Sequence, residues 1–207
     1  MLLRLPAWIR TGFPPFDALA AFTMVREVWP GQILEIGGGH STRIFDSAAA
    51  DRPGATITVI DPQPRRALDQ LARAGRIALH CLAQALAVEG LPALGPGDIF
   101  SLDGSHILMP GSDADLILNR LLPAIPPGVL VHFHDVFLPD PYPRDWEWRA
   151  YNEQQGVGVL IWGGTFEILF ASHYVAARLP ELAAHAGTGA LPDTRAPASS
   201  LWLRRLD

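Results

Sequence analysis

Cysteine, long apolar runs and clusters of basic residues are nearly absent from this 207-residue chain. The single cysteine, Cys81, cannot form an internal disulfide or supply the spaced thiolates of a metal site, which is compatible with a reducing cytoplasm. No apolar run approaches the ~18 residues that span a bilayer. The arginines and the proline near the start of the chain fit a secretory signal poorly. We therefore expect a cytoplasmic protein without a membrane partner.

The charge balance disfavours a nucleic acid as partner. Charged residues make up 18% of the chain, the formal net charge is −5, and Lys and Arg form no run longer than two, whereas binding to phosphates requires a positive surface. Apolar residues make up 49%, and the length permits a sizeable core. We expect one domain over residues 1–207, with a helical segment at 1–30 and an α/β core at 31–207. The sequence leaves homo-oligomer formation open.

Predicted strands and helices alternate along the chain at the spacing of βαβ units. Strands are predicted at 32–36, 55–60, 76–81, 98–102, 129–134, 166–172 and 201–205, and helices at 15–29, 41–50, 64–74, 83–94, 113–122 and 146–161. Residues 184–199, rich in Ala, Gly, Pro and Thr, predict a surface loop. The pattern predicts a Rossmann-like, doubly wound α/β fold with a seven-stranded, mostly parallel sheet and helices on both faces. Its ligand crevice should lie beyond the carboxyl ends of the strands.

A glycine loop follows the first predicted strand. Gly37, Gly38 and Gly39 allow a tight turn and a close approach of ligand to backbone. Ser41 is predicted to cap the next helix, whose N–H groups would face an anionic group. Asp61 ends the second strand, where its carboxylate can accept hydrogen bonds from ribose hydroxyls. These residues predict a site for a nucleoside-type cofactor.

Two further residues distinguish between cofactors. The dinucleotide fingerprint requires a third glycine where this chain has Thr42. Glu35, two residues before Gly37, would repel a pyrophosphate but suits a cofactor that carries an ammonium group. S-adenosylmethionine is therefore favoured, with Glu35 among its ligands. An NAD-dependent oxidoreductase and a cofactor-binding module without catalysis remain alternatives.

The order of these motifs resembles a known enzyme family. The pattern Glu35-x-Gly37-x-Gly39 followed by Asp61 resembles motifs I and II of the class I S-adenosylmethionine-dependent methyltransferases. Further segments resemble a bacterial branch of small O-methyltransferase-like proteins: Ile60-Asp61-Pro62, Leu102-Asp103-Gly104-Ser105-His106, Val131-His132-Phe133-His134-Asp135-Val136, Tyr142-Pro143-Arg144-Asp145-Trp146 and Tyr151-Asn152-Glu153-Gln154. The resemblance runs from about residue 31 to the C-terminus. It implies methyl transfer from S-adenosylmethionine to an oxygen of a small-molecule acceptor.

Acids and histidines follow two neighbouring predicted strands. Asp103 and His106 come after the fourth strand, and His134 and Asp135 after the fifth, so all four are predicted to converge as catalytic residues. His106 or His134 is a candidate general base. Asp103 is also assigned to the cofactor site. Alternatively, Asp103 and Asp135 hold Mg²⁺ or another divalent metal that activates the acceptor.

The family resemblance extends to this metal hypothesis and to the acceptor side. Catechol-type O-methyltransferases carry metal-binding acids after these two strands, but their later Asp-Asn pair is His134-Asp135 here, and hard divalent ions prefer oxygen ligands. His132 lies deeper on the strand and is predicted to pack in the core. The Tyr142–Trp146 connection is predicted either to bind the acceptor or to be an anchored loop.

Overall fold

A seven-stranded sheet organises the protein in the computed structural model, which describes residues 13–51, 54–81, 91–185 and 196–207. The strand order is β3-β2-β1-β4-β5-β7-β6. The antiparallel strand is β7, which lies between β5 and β6. The strands are β1 (Gln32–Ile36), β2 (Thr56–Ile60), β3 (Ala78–His80), β4 (Ile99–Leu102), β5 (Leu130–Phe133), β6 (Phe166–Ala171) and β7 (Leu201–Arg205). This architecture confirms the predicted fold class.

Helices cover both faces of the sheet because the side chains of each buried strand alternate between faces. In β1, Ile33 packs on one face and Leu34 and Ile36 pack on the other. The Ile33 face is covered by α1 (Pro15–Val28), α2 (His40–Ala49) and α3 (Arg66–Arg73). The opposite face is covered by α6 (Glu153–Trp162) and by a continuous helical segment of α4 (Asp113–Leu116), a π-helical turn (Ile117–Leu121) and α5 (Leu122–Ala124).

The predicted helix at 146–161 is wrong in its first half. Residues Arg144–Arg149 form a 3₁₀ helix, which ends where Ala150 takes a left-handed conformation with φ of 55°, so α6 begins only at Glu153. Two short helices, α7 (Ser172–Arg178) and α8 (Pro180–His185), follow β6 and were not predicted.

Three other predictions fall partly outside the described residues. Of the predicted helical segment at 1–30, residues 1–12 lie outside them, and α1 occupies Pro15–Val28. Of the predicted helix at 83–94, residues 83–90 lie outside them and 91–94 are not helical. Of the predicted loop at 184–199, residues 186–195 lie outside them, whereas 184 and 185 belong to α8. Within the described ranges, no helix has the length and apolarity that a membrane crossing requires.

Candidate functional site

A cavity of about 1130 Å³ lies at the carboxyl ends of β1, β2, β4 and β5. Parallel strands end at the same edge of the sheet, so the residues that follow them meet there. The wall includes most of the predicted site residues, namely Gly37, Gly38, Gly39, Asp61, Asp103, His106, His134 and Asp135. Glu35 and Ser41 are absent from this wall.

The glycine loop is shaped by close packing at its first two positions. Gly37 has φ of 80°, and a Cβ placed on it would lie 1.8 Å from the carbonyl oxygen of Asp103. A Cβ on Gly38 would lie 2.5 Å from Val59. A Cβ on Gly39 would meet no atom within 4 Å, so the third glycine faces open space. The loop thus presents bare backbone to the cavity.

Asp61 is fixed against this loop. Its Oδ2 accepts a hydrogen bond from the Gly38 N–H at 3.1 Å, and its Oδ1 accepts one from the Gln63 N–H at 2.8 Å. A carboxylate has about four lone-pair positions, so Asp61 retains the capacity to accept hydrogen bonds from a ligand.

Glu35 lies beneath the loop and not in the cavity. It is fully buried, and its carboxyl oxygens accept hydrogen bonds from the Ser41 and Thr42 hydroxyls. Helix α2 begins at His40 with Gly39 as its N-cap, and the Gly39 N–H donates to Thr42 Oγ1 at 3.0 Å. The predicted capping role of Ser41 is therefore wrong, because its hydroxyl is committed to Glu35. Glu35 supports the loop from below.

Burial raises the pKa of Glu35 to about 8, although hydrogen bonds from Ser41 and Thr42 lower it in part. The folded protein thus holds this proton more tightly than the unfolded chain, whose pKa is near 4.5. We expect the resulting stability, on the order of a few kcal/mol, to be present below pH 4.5 and lost as pH rises through 8. In Glu35→Gln, which resembles the protonated acid, urea unfolding should not show this loss. Equal pH dependence in both proteins would contradict a neutral Glu35.

His106 is held between carboxylates at the far side of the cavity. Its Nδ1 lies 3.0 Å from Glu153 Oε2, and its Nε2 lies 3.3 Å from Asp103 Oδ1 and 3.7 Å from Asp135 Oδ2. The ring is buried, and the His106 carbonyl accepts the N–H groups of Asn152 and Glu153 at the start of α6. The first turn of α6 therefore fixes both the backbone and the ring of His106.

His134 lies in the same cluster. Its Nδ1 is 3.3 Å from Asp135 Oδ1 and 3.6 Å from Asp103 Oδ1, and its Nε2 is 3.5 Å from Asp17 Oδ2. The ring stacks on Phe13 with centroids 4.5 Å apart. Two residues at the N-terminal end of the described chain thus complete a site formed mainly by strand ends.

The carboxylates keep both rings protonated. Burial opposes the charge on His106, but hydrogen bonds to Asp103 and Glu153 raise its pKa to about 10. Burial also opposes the charge on His134, yet Asp103, Asp17 and Asp135 raise its pKa well above the ordinary value. Partial burial favours a neutral Asp103, but the two rings hold its pKa well below the usual range. At neutral pH such rings donate hydrogen bonds and are better suited to hold an ionised oxygen than to take its proton.

His132 is separate from this cluster. It is fully buried and its ring stacks on Trp202. Its Nδ1 lies 2.9 Å from the Ser101 hydroxyl, and its Nε2 lies 2.9 Å from the Ser200 hydroxyl. Burial lowers its pKa to about 3. This placement agrees with the predicted packing of His132 in the core.

Sequence reasoning missed several residues of the site. Asp17 and Phe13 carry no motif, and Glu153 is equally typical of a solvated helix. Arg149 and Tyr151 line the cavity, and the Tyr151 ring packs on His106 at 4.6 Å. The one available signal was the resemblance of the Tyr151–Gln154 segment to the O-methyltransferase-like branch.

The Tyr142–Trp146 connection is held by aromatic packing. The rings of Tyr142 and Trp146 contact Phe137 at 5.9 and 5.2 Å and Tyr151 at 5.9 and 6.0 Å. The Tyr142 hydroxyl also accepts the Gln154 N–H at 3.1 Å. Neither ring lines the cavity, which favours the anchored loop over direct binding of the acceptor.

The strand order, the glycine loop and the acid after β2 define a Rossmann-like protein built to bind a nucleoside-type ligand. A family model described as a methyltransferase domain matches residues 34–136. The chain belongs to the class I S-adenosylmethionine-dependent methyltransferases. This confirms the resemblance seen in the sequence and favours a methyltransferase over the NAD-dependent oxidoreductase.

Solved structures share the fold. A provisionally assigned O-methyltransferase from Klebsiella pneumoniae is 17% identical, with a TM-score of 0.60 over 98% of this chain and 84% of that chain. The O-methyltransferase TomG from Streptomyces achromogenes, solved with S-adenosylmethionine, is 18% identical, with a TM-score of 0.57 over 96% and 82%. The 1,6-didemethyltoxoflavin-N1-methyltransferase from Burkholderia thailandensis is 14% identical, with a TM-score of 0.55 over 92% and 79%. No curated protein matches the chain.

Proposed function

We propose that this methyltransferase transfers the methyl group of S-adenosylmethionine to an oxygen of a small-molecule acceptor. The observation that supports the proposal is a single cavity that joins the glycine loop to the acid and histidine cluster. S-adenosylmethionine supplies a methyl group already activated by its sulfonium. The protein must therefore align donor and acceptor, which can contribute ~7–11 kcal/mol towards the barrier.

The glycine loop and Asp61 form the proposed donor side. Gly37 and Gly38 shape the turn, the open space above Gly39 admits the ligand, and Asp61 is proposed to accept hydrogen bonds from the ribose hydroxyls. Asp103 lines the cavity next to Gly37, whereas Glu35 does not reach it. We therefore assign the cofactor's ammonium group to Asp103, with Glu35 and Ser41 supporting the loop.

Asp61→Ala tests the donor side. Loss of charge-assisted hydrogen bonds, each worth ~1.5–3 kcal/mol, is expected to weaken S-adenosylhomocysteine binding by roughly 10- to 100-fold in calorimetry. Asp69→Ala is the matched control, because this acid lies on α3 and does not line the cavity. Equal affinities of the two variants for S-adenosylhomocysteine would show that Asp61 does not bind the cofactor.

The acid and histidine cluster forms the proposed acceptor side. His106 and His134 both approach Asp103 and Asp135, so an acceptor oxygen placed there would meet ring N–H donors and carboxylate acceptors within one cluster. We propose that the charged rings hold the acceptor oxygen in its ionised form, with its proton passed to solvent. This oxygen takes the methyl group from the sulfonium, which leaves as S-adenosylhomocysteine, while Asp103 and Asp135 keep the rings charged and oriented.

A divalent metal is the alternative to charged rings at this cluster, because a metal bound to His106 would replace the proton on that ring. Asp103, His106 and Asp135 offer ligand atoms that lie within 4.8 Å of one another. Glu153 at Nδ1 orients the His106 ring, as carboxylates commonly do for metal-binding histidines. This mixed nitrogen and oxygen set suits Mn²⁺ or Zn²⁺ better than Mg²⁺, and a metal held there would lower the pKa of a bound hydroxyl. Calorimetry on protein freed of metal by a chelator tests this assignment. Binding of Mn²⁺ or Zn²⁺ but not Mg²⁺ supports it, and binding of none of the three ions would rule it out.

The proposed reaction is tested with a methyl-labelled donor and a panel of phenols, sugars and carboxylic acids. We expect label on an oxygen of at least one acceptor, located by mass spectrometry of the product. Exclusive labelling of nitrogen in matched amines would overturn the proposed O-methylation. The test is needed because the relatives include both an O-methyltransferase and an N1-methyltransferase.

A further inference from the structure

We propose that Arg149 binds an anionic group, a carboxylate or a phosphate, on the methyl acceptor. This inference rests on the proposed function and specifies its substrate class. Arg149 lines the cavity together with Tyr151, whose ring packs on His106. An anionic group at Arg149 would therefore place the rest of the acceptor near the acid and histidine cluster.

The guanidinium of Arg149 is held in place by neutral groups. Its Cζ lies 4.1 Å from the ring centroid of Trp146 and 5.4 Å from those of Trp148 and Tyr151. Its Nη1 donates a hydrogen bond to the Tyr151 hydroxyl at 3.2 Å. These contacts orient the planar guanidinium but do not neutralise its charge.

Arg149 has binding capacity that the protein does not use. Its Nε is buried without a hydrogen-bond partner, and across the described ranges no carboxylate forms an ion pair with it. A buried donor without a partner costs free energy. Four other arginines, by contrast, pair with acids: Arg26, Arg76, Arg178 and Arg204.

Two acids on the same cavity wall, Asp113 and Asp115, form hydrogen bonds with other residues. Asp113 accepts hydrogen bonds from the Ser105 N–H and hydroxyl, and Asp115 accepts them from the Gly111 N–H and the Asn119 side chain. These acids stabilise the Ser105–Asp115 part of the wall and leave Arg149 unpaired. A guanidinium forms two parallel hydrogen bonds with a carboxylate or a phosphate. An anion would therefore accept hydrogen bonds from the unused N–H donors of Arg149 and balance its positive charge.

The test measures binding of small anionic probes to the protein saturated with S-adenosylhomocysteine. The probes are benzoate, its neutral isostere benzamide, and inorganic phosphate, and the signal is tryptophan fluorescence, since Trp146 and Trp148 flank Arg149. We expect saturable binding of benzoate or phosphate, at least 10-fold tighter than that of benzamide. Benzoate as the tighter anion indicates a carboxylate acceptor, and phosphate indicates a phosphorylated one.

Variants then assign the effect to Arg149. Arg149→Gln should weaken anion binding by roughly 10- to 100-fold, and Arg149→Lys, which keeps the charge but loses the planar fork, should weaken it less. Arg144→Gln is the matched control, because Arg144 begins the same 3₁₀ helix but does not line the cavity. It should bind anions like the wild type.

Equal binding of benzoate and benzamide, unchanged anion binding in Arg149→Gln, or no anion binding at all would each overturn this inference. S-adenosylhomocysteine affinity is recorded in the same samples. If the wild type does not bind S-adenosylhomocysteine, the donor side of the proposed function fails. If the wild type binds it but does not prefer benzoate or phosphate to benzamide, only the role of Arg149 fails.

Discussion

Gly37→Ala is expected to unfold at a clearly lower urea concentration than the wild type and to lose S-adenosylhomocysteine binding. The added Cβ would lie 1.8 Å from the backbone oxygen of Asp103, a residue that follows β4 directly and donates its N–H to the Ile36 carbonyl of β1 at 2.9 Å. The φ of 80° adds strain for any side chain. Together these effects should cost roughly 3 kcal/mol or more in the free energy of unfolding.

Gly39→Ala is the matched control from the same loop. No atom lies within 4 Å of the added Cβ, and the φ of 178° lies outside the left-handed region. Stability should stay near that of the wild type, whereas S-adenosylhomocysteine binding should weaken because the methyl group occupies the open space above the loop. Wild-type affinity in Gly39→Ala would show that the cofactor does not pass over this residue. Wild-type stability in Gly37→Ala would contradict the packing described for the turn.

Asp17→Asn is expected to cause the second large effect, on stability. Asp17 is fully buried and accepts hydrogen bonds from the Ser172 hydroxyl and from the N–H groups of Ser199 and Ser200, while His134 Nε2 lies 3.5 Å away. An amide has one oxygen, so its NH₂ group must face at least one of these donors. Breaking a buried charged network typically costs ~3–5 kcal/mol, measurable as a lower free energy of unfolding in urea.

Asp51→Asn tests whether burial is the cause. Asp51 forms an ion pair at 2.7 Å with Arg26, which lies on α1 as Asp17 does. The side chain of Asp51 is 75% exposed. Exposed ion pairs contribute ~0–1 kcal/mol, so the same chemical change should have little effect there. Similar losses in the two variants would mean that burial of Asp17 does not explain its contribution.

Local sequence was sufficient to predict the strands and the edge of the sheet where they end. The predicted strand at residues 32–36 is β1, a mostly apolar run bounded by Gly31 and Gly37, and the one at 201–205 is β7. The predicted helix at 146–161 failed in its first half, where the packing of Trp146 on Phe137 accompanies a 3₁₀ helix. Packing of Trp146 on Phe137, which precedes the 3₁₀ helix, depends on how the connection folds back on itself and is not visible in helical periodicity.

The candidate site also contains residues that local sequence placed correctly and one that it did not. Residues placed directly after strands, such as Asp61 and Asp103, were predicted to face the crevice, and they line the cavity. Glu35 lies one residue before the end of β1, so its side chain enters the core between sheet and helices, where burial keeps it neutral and in contact with Ser41 and Thr42. The acid that favoured S-adenosylmethionine in the sequence thus supports the loop as a neutral group.

The sequence by itself determined the sheet, the glycine loop and the positions of the four strand-end residues Asp103, His106, His134 and Asp135. Each of these depends on spacing along one βαβ unit or on adjacent strand ends, which short-range pattern encodes. The class of enzyme was indicated by the resemblance of the motifs to a known family. Only the tertiary structure brought Asp17 to His134, Glu153 to His106 and Arg149 to the cavity wall. These contacts join residues far apart in the chain, and their charge states depend on burial and on neighbours supplied by other elements.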